Sequence, residues 1–209
     1  MKKVMSLVLA LLMLAAMLCA CESKEEKYAA LAGTWQMVAD DTEEQALVLL
    51  EGIDLYEEEL AVVDKTTLQY VWIYEFDTAG NFRQADDIEA TKECVRAFYA
   101  GVFEDLYENR DGLGELYGED FAAMDQAAFQ QFYAELYGKD TYEALLDQFV
   151  ENAYKWDEWT DYRNGTFTFD GDRLEIEDGA ESYWLEYKIE GDTLTITYSD
   201  GDEVYTRVG

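Results

Sequence analysis

The apolar residues of this chain change their spacing twice, and the changes divide it into three stretches. From Asn164-Gly165 onward the spacing is two. Phe167 and Phe169 alternate with threonines, and Leu174 and Ile176 with charged residues. Tyr183, Leu185, Tyr187 and Ile189 follow, then Leu194, Ile196 and Tyr198, then Val204 to Val208. A period of two places such residues on one face of a strand. The joints Asp170-Gly171, Asp178-Gly179, Glu190-Gly191-Asp192 and Asp200-Gly201 are residue types that turn hairpins tightly. Five strands joined this way make a meander.

The same alternation occurs earlier, at Trp35 and Met37 and again over 66–76. In the second stretch Leu68, Tyr70, Trp72, Tyr74 and Phe76 share one face. Val71 and Ile73 make the other face apolar too, which predicts cover on both sides. Asp77-Thr78-Ala79-Gly80-Asn81 turns the chain back into Phe82-Arg83-Gln84. The pattern therefore predicts eight strands: near 35, 66–76, 82–84, 166–169, 173–177, 183–189, 194–198 and 203–208. Eight strands suffice to close a small barrel.

Between the third and fourth strands the spacing becomes helical. Ile88, Thr91, Val95, Phe98, Val102 and Leu106 trace one stripe, which Gly112 and Gly114 end. Glu115-Leu116-Tyr117-Gly118-Glu119-Asp120 is echoed by Glu135-Leu136-Tyr137-Gly138-Lys139-Asp140. Each hexapeptide reads as the glycine end of one helix and the aspartate cap of the next. A shorter helix is predicted after Thr42-Glu43-Glu44-Gln45, weakened at Gly52. The expected fold class is α+β: an antiparallel barrel or strongly curved sheet of about eight strands, with a three-helix block inserted at about 86–158.

The amino terminus follows another logic. Lys2 and Lys3 precede an apolar run from Val4 to Ala20, and Cys21 follows a small residue. A basic start, a short apolar core and a small residue before the cut mark a secretion signal. A membrane span needs about 20 apolar residues. The cut site and the polar run from Glu22 to Lys27 favour cleavage. Residues 1–20 are read as the signal and residues 21–30 as a tether. The four residues Leu18-Cys19-Ala20-Cys21 resemble the lipobox of bacterial lipoproteins. That resemblance implies a diacylglycerol on the thiol of Cys21, with Cys19 disfavoured by the bulk of Leu18 before it. Two acyl chains at about 0.8 kcal/mol per methylene hold a protein firmly, whereas one is marginal. It also implies an extracytoplasmic location on the cell membrane, or on the outer membrane where there are two, since Glu22 follows the cysteine.

Composition narrows the function. Without the two lysines of residues 1–20, 13 basic side chains face 47 acidic ones, a net of −34. Such a charge repels nucleic-acid phosphates and anionic headgroups, so nucleic acid is excluded as a partner and the body stands off the membrane. Nearly half the residues are hydrophobic and 16 are tyrosines, which supports a packed core despite the acidity. The chain has no histidine, which removes Ser-His-Asp and Cys-His catalysis and His-bearing zinc sites. It has no proline, so turns rest on glycine, Asn and Asp.

Gly33 and Trp35, in Leu31-Ala32-Gly33-Thr34-Trp35, together with the hairpin-rich meander, resemble lipocalin-like domains of bacterial lipoproteins. In that family the tryptophan plugs the barrel floor and an arginine of the last strand lies over the indole. Arg207 is the matching residue. The helical block and the lack of disulfides depart from the family. Membership implies a small-ligand cavity, with Tyr70, Trp72, Tyr74, Tyr183 and Tyr187 as wall candidates for an apolar or aromatic ligand.

Other candidates are weaker. Tyr154, Trp156, Trp159 and Tyr162 form an aromatic cluster. It is either a packed seam or, if exposed, a surface that docks a protein or wall polymer. Asp170-Gly171-Asp172 and Asp200-Gly201-Asp202 lack the closing glutamate of a calcium loop, so no metal is expected. Cys94 lies on the helical stripe as a half-buried thiol without a histidine to activate it. No catalytic motif or cofactor loop is present, and the expected role is non-enzymatic binding.

Overall fold

A computed structural model describes residues 23–40, 43–64, 67–156, 161–179, 181–199 and 201–208. The predicted eight strands are present as β1 (Gly33–Asp40), β2 (Gln69–Phe76), β3 (Asn81–Asp86), β4 (Asp161–Asp170), β5 (Arg173–Asp178), β6 (Glu181–Glu190), β7 (Thr193–Tyr198) and β8 (Gly201–Val208). They close in sequence order into one antiparallel barrel. Closure is made where β1 meets β8, with Thr34 opposite Val208, Trp35 opposite Arg207 and Gln36 opposite Thr206. The sequence expectation of a lipocalin-like barrel with an α+β composition holds.

The chain divides into two compact units. One comprises residues up to 36 with 74–84 and 163–209; the other comprises 37–73 and 85–162. In the first, inward positions alternate along the meander as the period of two requires. Leu174, Ile176, Leu194 and Ile196 are at most 1% exposed. Burial of this order stabilises by roughly 1.5–3 kcal/mol per aliphatic side chain. Gly171, Gly179 and Gly191 turn the hairpins at φ near +63°. Gly165 acts through its size instead. A Cβ there would lie 1.9 Å from the Glu177 carbonyl oxygen, so only glycine permits β4 to lie this close to β5.

From Lys24 onward the stretch read as a tether is helical. Residues Lys24–Leu31 form a helix, α1, opened by a capping box in which Ser23 and Glu26 exchange hydrogen bonds. Its Tyr28 stacks on Phe167 at 5.1 Å and donates its hydroxyl to the Phe167 carbonyl at 3.1 Å, and its Lys27 donates to the Gly171 carbonyl.

The second unit holds α2 (Glu43–Glu51), α3 (Glu57–Leu60), the long α4 (Ile88–Glu108), α5 (Gly114–Tyr117), α6 (Gln126–Leu136) and α7 (Tyr142–Ala153). Thr42, expected to cap α2, lies outside the described residues. The stripe read on α4 is the buried one: Val95, Phe98, Val102 and Leu106 join Phe129, Tyr133, Leu145 and Phe149 in one core, and Thr91 is buried above them. Gly118 and Gly138 end their helices in left-handed backbone, as expected. Of the two expected aspartate caps, Asp120 stands at the N-cap of the short 3-10 turn Phe121–Ala123 without a side-chain bond to it, and Asp140 is displaced. After Gly138 the Lys139 N–H closes onto the Ala134 carbonyl at 2.7 Å. That turn extends the exit by two residues, so Thr141, not Asp140, caps α7. Asp125 caps α6.

Strand β2 departs from strict alternation. Val71, Tyr74 and Phe76 are its buried residues, with Leu68 buried just before it, while Tyr70, Trp72 and Ile73 are half-buried. The cause is local. The Val71 N–H donates to the hydroxyl of Thr91 at 3.1 Å, and the Val71 carbonyl accepts from the Asp87 N–H at 2.8 Å. The first turn of α4 thus takes the place of a neighbouring strand at this point.

Candidate functional site

The barrel interior differs between its two ends. At one end Trp35 is fully buried and donates its indole N–H to the Leu31 carbonyl at 2.7 Å. The Arg207 guanidinium lies 4.1 Å over the indole ring, the contact that the lipocalin resemblance implies, and it donates to the Ala32 carbonyl at 2.6 Å. Phe76 and Phe167, both buried, meet edge to face at 5.2 Å above this floor. Side chains at 0–4% exposure leave no room for a water molecule beside them, so this end is packed.

The other end is polar. Tyr74 and Tyr198 share a hydrogen bond of 3.0 Å. Tyr205 meets Tyr74 edge to face at 5.3 Å and donates its hydroxyl to Glu203 at 2.6 Å. Arg163 donates to the Tyr183 hydroxyl at 3.1 Å and stands 3.7 Å from the Asp178 carboxylate. Tyr74 and Tyr205 are buried, whereas Arg163, Asp178, Tyr183, Tyr198 and Glu203 are only half-buried. Polarity and access therefore increase together toward this end.

Burial raises every phenol here. Tyr198 is pushed up to about 12. Tyr74 and Tyr205 are raised further, by burial first, then by hydrogen bonding and the neighbouring charge. Tyr183 is also raised by burial, and Arg163 opposes the shift. Since the folded values exceed the unfolded one of about 10, the folded chain keeps these protons when the unfolded chain releases them. Stability is therefore present below pH ~10 and falls above it. A spectrophotometric titration should show a class of tyrosines that ionises only together with unfolding. Ionisation of all 16 as one class, with the circular dichroism unchanged, would contradict this packing.

Of the five wall residues expected from sequence, Tyr74 and Tyr183 come to this end. Tyr187 is half-buried against Phe169, 5.6 Å between rings. Tyr70 and Trp72 belong to the helical unit. There the Tyr70 and Tyr154 hydroxyls hydrogen-bond each other, and the Trp72 indole donates to Asp86, whose carboxyl is raised by burial. Of the aromatic cluster, Trp156 is 8% exposed and donates to the Val150 carbonyl at 2.8 Å, so its ring is core rather than a docking platform. Tyr154 is half-buried beside it, 5.1 Å between rings. Trp159 and Cys21 lie outside the described residues.

The chain matches no family model, no curated protein and no solved structure.

Arg163, Tyr198, Glu203 and Tyr205 are not singled out by sequence. Their signal is available in part, since 203, 205 and 207 share one face of the last strand. Among the described residues no three acidic or thiol side chains converge as a metal cage, and no helix is long and apolar enough to cross a membrane. Cys94 is half-buried, and burial followed by the Glu93 charge raises its thiol, the direction of low reactivity.

A second polar group lies in the helical unit. Glu59 is completely buried on α3, and its carboxylate accepts from the Tyr117 hydroxyl at 2.8 Å, from the Tyr133 hydroxyl, and from the Tyr56 N–H at 2.8 Å. Burial first and the Glu59 contacts second raise both phenols. With its oxygens bonded in this way the carboxylate is a structural element rather than an accessible site.

Proposed function

We propose that this chain is an extracytoplasmic protein, held on the cell membrane by a diacylglycerol at Cys21, whose barrel binds a small ligand with an apolar or aromatic body. The observation that supports the binding role is the asymmetry of the barrel interior. One end is filled by Trp35, Phe76 and Phe167, while the other turns four tyrosines and one arginine inward with partial access to solvent. Tyrosines supply flat apolar area and a hydroxyl for orientation. The one hydroxyl held by a carboxylate there is that of Tyr205, and burial raises its phenol, the direction that opposes ionisation and supports a role in binding rather than catalysis. A docking role for the helical block has less support. Among the described residues of 115–160, Leu136 is the one large apolar side chain left exposed.

Two measurements on the full chain, expressed in a bacterium that processes lipoproteins, test the reading. In detergent phase separation the chain should enter the detergent phase and Cys21→Ala the aqueous phase. Native mass spectrometry after gentle release should show a small-molecule adduct that is lost in Tyr183→Ala. Aqueous partitioning of the unaltered chain overturns the anchor. An adduct-free chain that also binds nothing from an aromatic small-molecule set overturns the binding role.

A further inference from the structure

Gln84 sits in the polar end of the barrel, and its side-chain oxygen is buried without a hydrogen-bond donor among the described residues. Its position follows from the register. The Asp77 N–H bonds the Asn81 carbonyl at 3.0 Å, so counting back along the hairpin sets Glu75 opposite Arg83 and Tyr74 opposite Gln84. The Arg83–Glu75 ion pair at 2.9 Å agrees with that count. On the other side the Phe167 N–H bonds the Gly80 carbonyl at 2.8 Å. A Cβ on Gly165 would lie 3.0 Å from the Phe82 ring, which brings Gln84 level with Arg163. Gln84 shares the inward parity of Phe82.

What this ring offers a ligand is set by what its members already do. Arg163 is engaged by Tyr183 and stands beside Asp178. The Tyr205 proton goes to Glu203. This end carries two half-buried carboxylates, Asp178 and Glu203, to the one guanidinium of Arg163, on a chain of net charge −32. The groups left over are an unmet carbonyl acceptor, an excess negative charge and the faces of electron-rich rings. A buried acceptor without a donor is unfavourable, and a ligand N–H would relieve it. An anion would be opposed by the field of the whole chain, and a neutral hydrocarbon would leave Gln84 unmet. A cation gains from both the carboxylates and the ring faces.

We propose that the polar end of the barrel selects an organic ammonium with an aromatic or apolar body, its N–H directed to the Gln84 carbonyl oxygen and its charge balanced by Glu203 and Asp178. This rests on the ligand-binding reading above and names the chemical class of the ligand.

Calorimetric titration of the full chain at physiological salt tests it with three probes of one body, each methylated at the ring nitrogen so that the indole itself offers no donor: tryptamine, 3-ethylindole and indole-3-propionate. Tryptamine should bind about tenfold or more tightly than either of the others, as expected where a site's polar group goes unmet by the analogue. In Gln84→Leu, which keeps the net charge, that preference should disappear while 3-ethylindole is unaffected. Glu203→Gln should weaken tryptamine alone. Equal binding of the three probes, tighter binding of the propionate, or a tryptamine preference that survives Gln84→Leu overturns the ammonium assignment and leaves ligand binding standing. Binding of none of the three overturns the assignment, and with an adduct-free native mass spectrum it removes the reading beneath as well.

Discussion

Trp35→Ala should destabilise the barrel by about 3–5 kcal/mol, the usual cost of truncating a buried tryptophan. The indole has no exposed surface and is held three ways: by its hydrogen bond to Leu31, by the guanidinium of Arg207, and by the β1–β8 pairing that sets the two residues opposite each other. Its removal leaves a cavity at the closed end, an unmet Leu31 carbonyl and an arginine without its ring. Because this pairing closes the barrel, the loss falls on the last ladder between the first and final strands. Trp35→Phe keeps much of the volume but gives up the indole N–H, and a cost of about 1–2 kcal/mol is expected. Urea denaturation followed by circular dichroism measures both. A stability for Trp35→Ala within about 1 kcal/mol of the unaltered chain would show that β1 is held to β8 by something other than this residue.

Glu59→Ala should cost the helical unit about 3–5 kcal/mol, as breaking a buried polar cluster on one side does. Two tyrosine hydroxyls and one backbone N–H end on this carboxylate. All three donors lose their acceptor when it is removed. Glu59→Gln retains the shape and one acceptor oxygen, so most of the stability should return. The comparison separates hydrogen bonding from volume, and far-ultraviolet circular dichroism during thermal unfolding reads it. Equal stability of Glu59→Ala and the unaltered chain would mean that the three donors find other partners and that the carboxylate is dispensable.

The two residues differ in how well the sequence discloses them. Trp35 is legible because it stands in an alternating strand behind a glycine, in a pattern carried by a resemblance that Arg207 then completes. Glu59 is not. It sits in Glu57-Glu58-Glu59, in a chain of 47 acids, and nothing local distinguishes the buried carboxylate from its neighbours. Its partners Tyr117 and Tyr133 lie 58 and 74 residues away and are brought to it only by tertiary packing. The meander can be read almost residue by residue, since a period of two and aspartate–glycine joints are local signals. Strand β2 defeats that reading at Tyr70 and Trp72, because periodicity assumes a strand flanked by strands, and Thr91 with Asp87 flanks it here instead. The helix Lys24–Leu31 escapes it for a related reason: its sequence is charged and short, and the Ser23–Glu26 box that opens it stands in a run that resembles a plain tether. The polar end of the barrel is half legible. Tyr74 and Tyr183 stand out by alternation, but Gln84 and Arg163 acquire meaning only when the register places them side by side.

The helix α1 begins three residues after Cys21 and lies against the Phe167 and Gly171 end of the barrel. A lipid at Cys21, as proposed above, would therefore pull on the sealed base. Strain on the anchor would then fall on the contacts that Tyr28 and Lys27 make, and not on the tyrosines proposed to meet a ligand.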